Sequence, residues 1–138
     1  MRNQRGRTKP ATWFSAVFLA LGIFAVPSIL SAQETVYKSG DLTEQPKIAD
    51  AKQARSAILR SYTNALQDAG LEGEVHVAFI VNTDGSVDAS SIKVISSPAE
   101  ALAKAAEVAV TRLKFRPGQK DGQAVRCEVL IPIKYSRG

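Results

Sequence analysis

Reactive side chains are scarce in this chain of 138 residues, which holds one cysteine (Cys127) and one histidine (His76). A disulfide framework is therefore excluded, and so is a structural zinc site, which draws on a set of Cys and His ligands. No Gly-x-Ser-x-Gly elbow surrounds any serine. With no nucleophile and base in a recognisable pairing, neither catalytic residues nor a cofactor is expected. Internal repeats and low-complexity or Pro-rich tracts are also missing. Acidic residues are absent before Glu34, while Arg2, Arg5, Arg7 and Lys9 crowd the start. Setting those cations aside leaves 14 basic against 13 acidic residues, so the net charge of +5 belongs mostly to the first nine positions. A nucleic-acid footprint on the remainder is thereby excluded. What is present is ordinary: 45% hydrophobic and 22% charged residues, at a length that suits one small globular domain.

Residues 11–32 carry no charge. They include Trp13, Phe14, Phe18, Leu19, Leu21, Ile23 and Phe24, then Pro27, then small Ser31 and Ala32. A basic start, an apolar run and a helix breaker before small residues are the order of a secretory signal. Cleavage is expected after Ala32. The alternative is an uncleaved inner-membrane anchor, since about 20 apolar residues cross a bilayer. Either reading exports the remainder of the chain, and no Cys stands directly after the run to carry a lipid. Residues 33–46 read as a short polar linker, and 47–138 as the domain.

Residues 47–69 have a helical period, with Ile48, Ala51, Ile58, Leu59, Tyr62, Leu66 and Ala69 near one face and Gly70 as terminator. Residues 74–81 alternate. Val75, Val77, Phe79 and Val81 share one face; Glu74, His76, Ala78 and Ile80 share the other. Residues 82–85 form a turn, with Gly85 free to take positive φ. A second strand ends at 92–96, with a bulge expected near 89–91 because Val87 breaks parity. Ser97-Pro98-Ala99-Glu100 reads as an N-cap, first-turn proline and capping box. Leu102, Ala105, Ala106, Ala109, Val110 and Leu113 then mark an amphipathic helix. After turns at 115–118 and 121–122, residues 124–135 alternate again. Val125, Cys127, Val129, Ile131, Ile133 and Tyr135 share a face. The expected fold is α+β: a three-stranded antiparallel sheet in the order 2-1-3, with two helices on one face.

Other chemistry fails on its details. Residues 82–88 resemble a calcium loop, but Ile80 and Ser91 stand where an EF-hand needs acids. His76 has no second histidine to complete a ligand set, so no metal is expected. Cys127 lies among core-facing residues, which makes it a buried thiol and not a reactive one. Arg112, Lys114, Arg116, Lys120 and Arg126 form a basic patch that reads as solvated surface, the alternative being the docking of an acidic partner or an anionic envelope surface.

An ordered set of pieces resembles the C-terminal domain of TonB-family energy transducers. It begins with Gly73-x-Val75-x-Val77-x-Phe79-x-Val81-x-x-Asp84-Gly85-x-Val87. Ser96-Ser97-Pro98, Ala105-Ala106, Ala109-Val110, Phe115-Arg116-Pro117, Gly122 and Ile131-Pro132-Ile133 complete it. The resemblance implies a protein of the periplasm that serves transport across the outer membrane by pairing a strand with a transporter segment. Three features differ from the family pattern. Residues 11–32 hold no His, Gln45-Pro46 stands where Tyr-Pro is usual, and the spacer from Ala32 to Pro46 reaches at most ~45 Å.

Pro132 cannot donate a hydrogen bond, which places the last strand at a sheet edge. The order 2-1-3 puts it there independently. Arg126, Glu128 and Leu130 share the parity of Pro132 and are expected to turn unpaired backbone groups toward a partner. Charged Arg126 and Glu128 discourage unwanted pairing. The expected partner is an extended protein or peptide segment, such as part of an outer-membrane transporter. The alternative is a structural role in the envelope, with the edge used for self-association into a homodimer. Membrane contact is expected only through an uncleaved N-terminal segment.

Overall fold

The computed structural model describes residues 34–138, so the export segment read at 1–32 lies outside the described residues. Among the described residues, no helix is long and apolar enough to cross a membrane. A 3-10 turn at Ser39–Asp41 precedes a short strand β1, Lys47–Ile48. Helix α1, Ala51–Ser61, starts where the Asp50 carboxylate accepts the N–H groups of Lys52 (2.9 Å) and Gln53 (3.0 Å).

The single helix expected over 47–69 is broken at Tyr62 and resumes as α2, Asn64–Asp68. Tyr62 leaves helical geometry with ψ of 80°. Its hydroxyl donates to the Leu71 carbonyl (2.7 Å), and its ring packs on Tyr135 at 5.3 Å between centroids. Ser61 also turns its hydroxyl onto the Ile58 carbonyl (2.7 Å), competing with the helix ladder. Tertiary burial of one aromatic thus outweighs the local period. Gly70 closes α2 as expected: its N–H reaches Gln67 O (3.0 Å), and the Leu71 N–H reaches Leu66 O (3.1 Å).

Strand β2, Gly73–Val81, pairs antiparallel with β3, Val87–Ser96. The turn between them places Gly85 at φ 86°. A Cβ there would collide with the Phe115 carbonyl, whose own N–H donates to Gly85 O (2.9 Å). The expected irregularity near 89–91 is present as a register shift opposite Ala78 and Ile80. There the Ser91 hydroxyl substitutes for a backbone acceptor of the Ile80 N–H (2.8 Å). A second shift, beside His76 and Val77, leaves Ile95 exposed.

Helix α3, Glu100–Thr111, begins later than the capping box predicts. Ala99 occupies the cap position, and no side chain caps the helix. Ser97 instead donates to the Ala99 carbonyl (2.7 Å), and the Pro98 ring lies over the backbone of Gly73. Proline is used here for packing against β2, and the helix starts only after the chain has crossed it.

Short strands β4 (Phe115–Arg116), β5 (Gln119–Lys120) and β6 (Gln123–Ala124) lead to β7, Cys127–Tyr135. β7 pairs antiparallel with β2 from Gly73↔Tyr135 to Val81↔Cys127. The sheet order is β3-β2-β7, the expected 2-1-3, with the first long strand in the middle. Val75, Val77, Phe79 and Val81 are buried with Leu102, Ala106, Val110, Cys127, Ile133 and Tyr135 in one core. Each fully buried Val, Leu, Ile or Phe among them contributes about 1.5–3 kcal/mol. The many alanines of α3 (Ala105, Ala106, Ala109) are buried, letting the helix approach the sheet closely.

Residues 34–46, expected as a linker, lie against the domain. Tyr37 pairs with Cys127, Glu44 pairs with Gln119, and β1 pairs with β4. Leu42 packs against the core near Gly118.

Candidate functional site

β7 has β2 on one side only, so alternate residues turn their backbone groups away from the sheet. One contact fixes which residues these are. Tyr37 donates its N–H to the Arg126 carbonyl (2.9 Å) and accepts the Glu128 N–H (2.9 Å) from outside. Residues of that parity are Arg126, Glu128, Leu130, Pro132 and Lys134. The sequence-derived trio therefore lies on one line, but its members sit in different surroundings.

Arg126 precedes β7, and its side chain is 19% exposed. Its Nη2 donates to Asp88 Oδ2 (2.7 Å) and its Nε to Asn82 Oδ1 (3.1 Å), with Glu34 more loosely placed at 3.8 Å. The guanidinium thus fastens the β2–β3 hairpin to the start of β7. Asp88 also accepts the Ser90 hydroxyl (2.6 Å) and N–H (3.0 Å). Ser90 first, and Arg126 after it, hold the Asp88 carboxyl below its ordinary range.

Glu128 is exposed, and the Ser39 hydroxyl approaches its carbonyl only at 3.5 Å. Leu130 is 58% exposed, a large apolar side chain left on the surface beside the free edge. Lys38, Ser39, Glu128 and Leu130 line an open groove of about 280 Å³. Pro132 follows at the next outward position, opposite His76.

The exposed sheet face carries a second polar feature. His76 Nε2 lies 3.0 Å from Glu74 Oε1, and Nδ1 lies 3.0 Å from Ser96 Oγ. These are the parts of a Ser–His–acid relay, but His76 is 40% exposed and Glu74 50%. A relay so open exchanges protons with water, and its geometry is that of a surface hydrogen-bond chain. Cys127 is fully buried, and burial pushes its thiol up from the ordinary value, which is opposite to what a nucleophile needs. Among the described residues, no three His, Cys, Asp or Glu side chains are grouped to hold a metal. The basic patch divides: Arg126 is paired with Asp88, and Lys120 Nζ sits 4.7 Å from the Tyr37 ring centroid.

Tyr37, Ser39 and Lys120 were not among the residues expected at the edge. The available signal was Thr35-Val36-Tyr37, a short strand-prone run inside a polar stretch.

The model of the family described as Gram-negative bacterial TonB protein C-terminal matches residues 59–136. A solution structure of the Helicobacter pylori TonB C-terminal domain (residues 179-285) is 31% identical over 63% of this chain and 79% of that one, with a TM-score of 0.43. A shorter form of that domain (residues 194-285) is 32% identical over 62% of this chain and 90% of that one, with a TM-score of 0.39. No curated protein matches the chain. Because the family match spans more than half of the sequence, the chain belongs to the family of TonB C-terminal domains.

Proposed function

We propose that this chain is an exported binding module of TonB-type transport, which recognises an extended peptide segment by adding it as a strand beside β7. Residues 1–32 direct export or anchor the chain, and the domain works in the periplasm. The partner is a protein segment in extended conformation, such as part of an outer-membrane transporter. The observation that carries this reading is the outward backbone row of β7. Tyr37 already uses its first two groups in a strand-like ladder, and Leu130 and Lys134 continue the same parity. Strand addition draws affinity from such main-chain bonds and specificity from alternate side chains. No bond-breaking chemistry is required of any residue.

A photocrosslinker at Leu130 in living cells identifies the captured segment, which is then titrated as a synthetic peptide. Leu130→Pro removes one outward donor and should weaken binding by ~10-fold or more, since each lost ladder bond to a buried partner costs about 1–3 kcal/mol. Val75→Ala, in the central strand, should lower stability and leave affinity unchanged. Undiminished affinity in a Leu130→Pro variant with a native circular-dichroism spectrum would move recognition elsewhere. Concentration-dependent dimerisation through β7 would instead make the edge a self-association surface.

A further inference from the structure

The free edge of β7 is already partly occupied, and its occupant is the chain itself. Tyr37 runs parallel to Cys127 and takes both the Arg126 carbonyl and the Glu128 N–H. In a continuing parallel ladder, Ser39 would next pair with Val129, giving its N–H to the Glu128 carbonyl and accepting the Leu130 N–H. That does not happen, because the 3-10 turn Ser39–Asp41 lifts the chain away and carries Leu42 to the core beside Gly118. Thus the first part of the edge is covered and the part from Leu130 onward is open, with the groove at Lys38, Ser39, Glu128 and Leu130 marking the junction.

The covering segment is lightly held. Besides the two backbone bonds, it has a loose ion pair from Glu34 to Arg126 at 3.8 Å, the contact of Tyr37 with Lys120, the Ser39 hydroxyl at 3.5 Å from the Glu128 carbonyl, and the exposed Gln45 amide donating to the Ser39 carbonyl. Tyr37 is half-buried, whereas Glu34, Thr35, Val36, Lys38 and Ser39 are exposed. A second open cleft of about 220 Å³ runs beside it, between Tyr37, Thr83 and Val125. Arg126 does not depend on the segment, since Asp88 and Asn82 satisfy it at shorter range.

We propose that residues 34–39 form a resident cap strand on β7, and that a partner segment long enough to reach Arg126 and Glu128 binds by displacing it. This rests on strand addition at β7 as the mode of recognition. The cap and the partner compete for the same two backbone groups, so apparent affinity is the intrinsic affinity multiplied by the fraction of molecules with the cap open. A short cis segment competes at an effective concentration in the millimolar range or above. Short partners that end at Leu130 escape the competition, so the cap selects for length and register.

The test has a readout that needs no partner. In the full chain, amide hydrogen exchange at Glu128 should be at least ~10-fold slower than at Leu130, because only the first is bonded to Tyr37. Tyr37→Pro deletes the donor to Arg126 and should speed exchange at Glu128 to the Leu130 rate, while Val75 and Phe79 keep their protection. Equal rates at Glu128 and Leu130 in the unmodified chain would overturn the cap. The second arm titrates a labelled peptide of the chain's own residues 34–39 against both proteins. Tyr37→Pro should bind it ~10-fold or more tightly than the unmodified chain. Equal affinity would overturn the competition even if Glu128 is protected. Failure of strand addition itself shows differently: Leu130→Pro would then leave partner binding intact, whatever the exchange rates say about the cap.

Discussion

Two glycines with nearly the same positive φ isolate what the β2–β3 turn contributes. Gly85 and Gly122 have φ of 86° and 81°. Around Gly122 a Cβ would meet nothing within 4 Å, whereas at Gly85 it would collide with the Phe115 carbonyl. Gly122→Ala should therefore cost only the left-handed conformation of an L residue, about 1–2 kcal/mol. Gly85→Ala bears that same cost and must also displace the Phe115 backbone. The displacement breaks the Phe115 N–H bond to Gly85 (2.9 Å) and loosens Phe115 against Phe79, whose ring centroids are 5.5 Å apart. A lost hydrogen bond contributes about 1 kcal/mol and the aromatic contact about 0.5–1.5 kcal/mol. The expected total for Gly85→Ala is about 2.5–4.5 kcal/mol. Urea unfolding followed by circular dichroism measures both variants, with equal slopes required for the comparison. Equal destabilisation of the two would refute the steric argument and leave only backbone conformation.

Cys127 should react with a thiol reagent slowly in the folded chain and fast in denaturant, because burial both shields it and raises its pKa; equal rates would reverse the facing of β7. The Asp88 carboxyl is held below its ordinary range by Ser90 and Arg126. A depressed folded pKa stabilises the protein above the unfolded value, and that contribution is lost as pH falls through the folded value. Asp88→Asn should therefore flatten the decline of stability below about pH 4, as read by thermal melts across pH; an unchanged acid slope would remove Asp88 from the account.

Much of the fold could be read from the sequence because its causes are local or topological. Val75 to Val81 alternates so regularly that only one face of β2 could be buried, and all four of its apolar members are. The edge position of β7 followed from a connection rule together with Pro132, and Arg126, Glu128 and Leu130 do share the outward parity. What could not be read has long-range causes. Helix α1 ends because Tyr62 is claimed by Leu71 and Tyr135, the latter far along the chain. The capping box at Ser97 gives way because Pro98 is needed against Gly73. Tyr37 was missed for the same kind of reason. Its partners Arg126, Glu128 and Lys120 are remote in sequence, and nothing in residues 33–46 names them.

The hydrogen-bonded chain from Glu74 through His76 to Ser96 has a practical consequence. Since His76 is the one histidine in the sequence, its imidazole gives a single, assignable set of ring resonances. The ring sits on the central strand, opposite Pro132 at the edge. A strand arriving beside β7 alters the magnetic surroundings of that ring without touching it. The chain thus carries its own spectroscopic reporter of edge occupancy, usable in unlabelled protein.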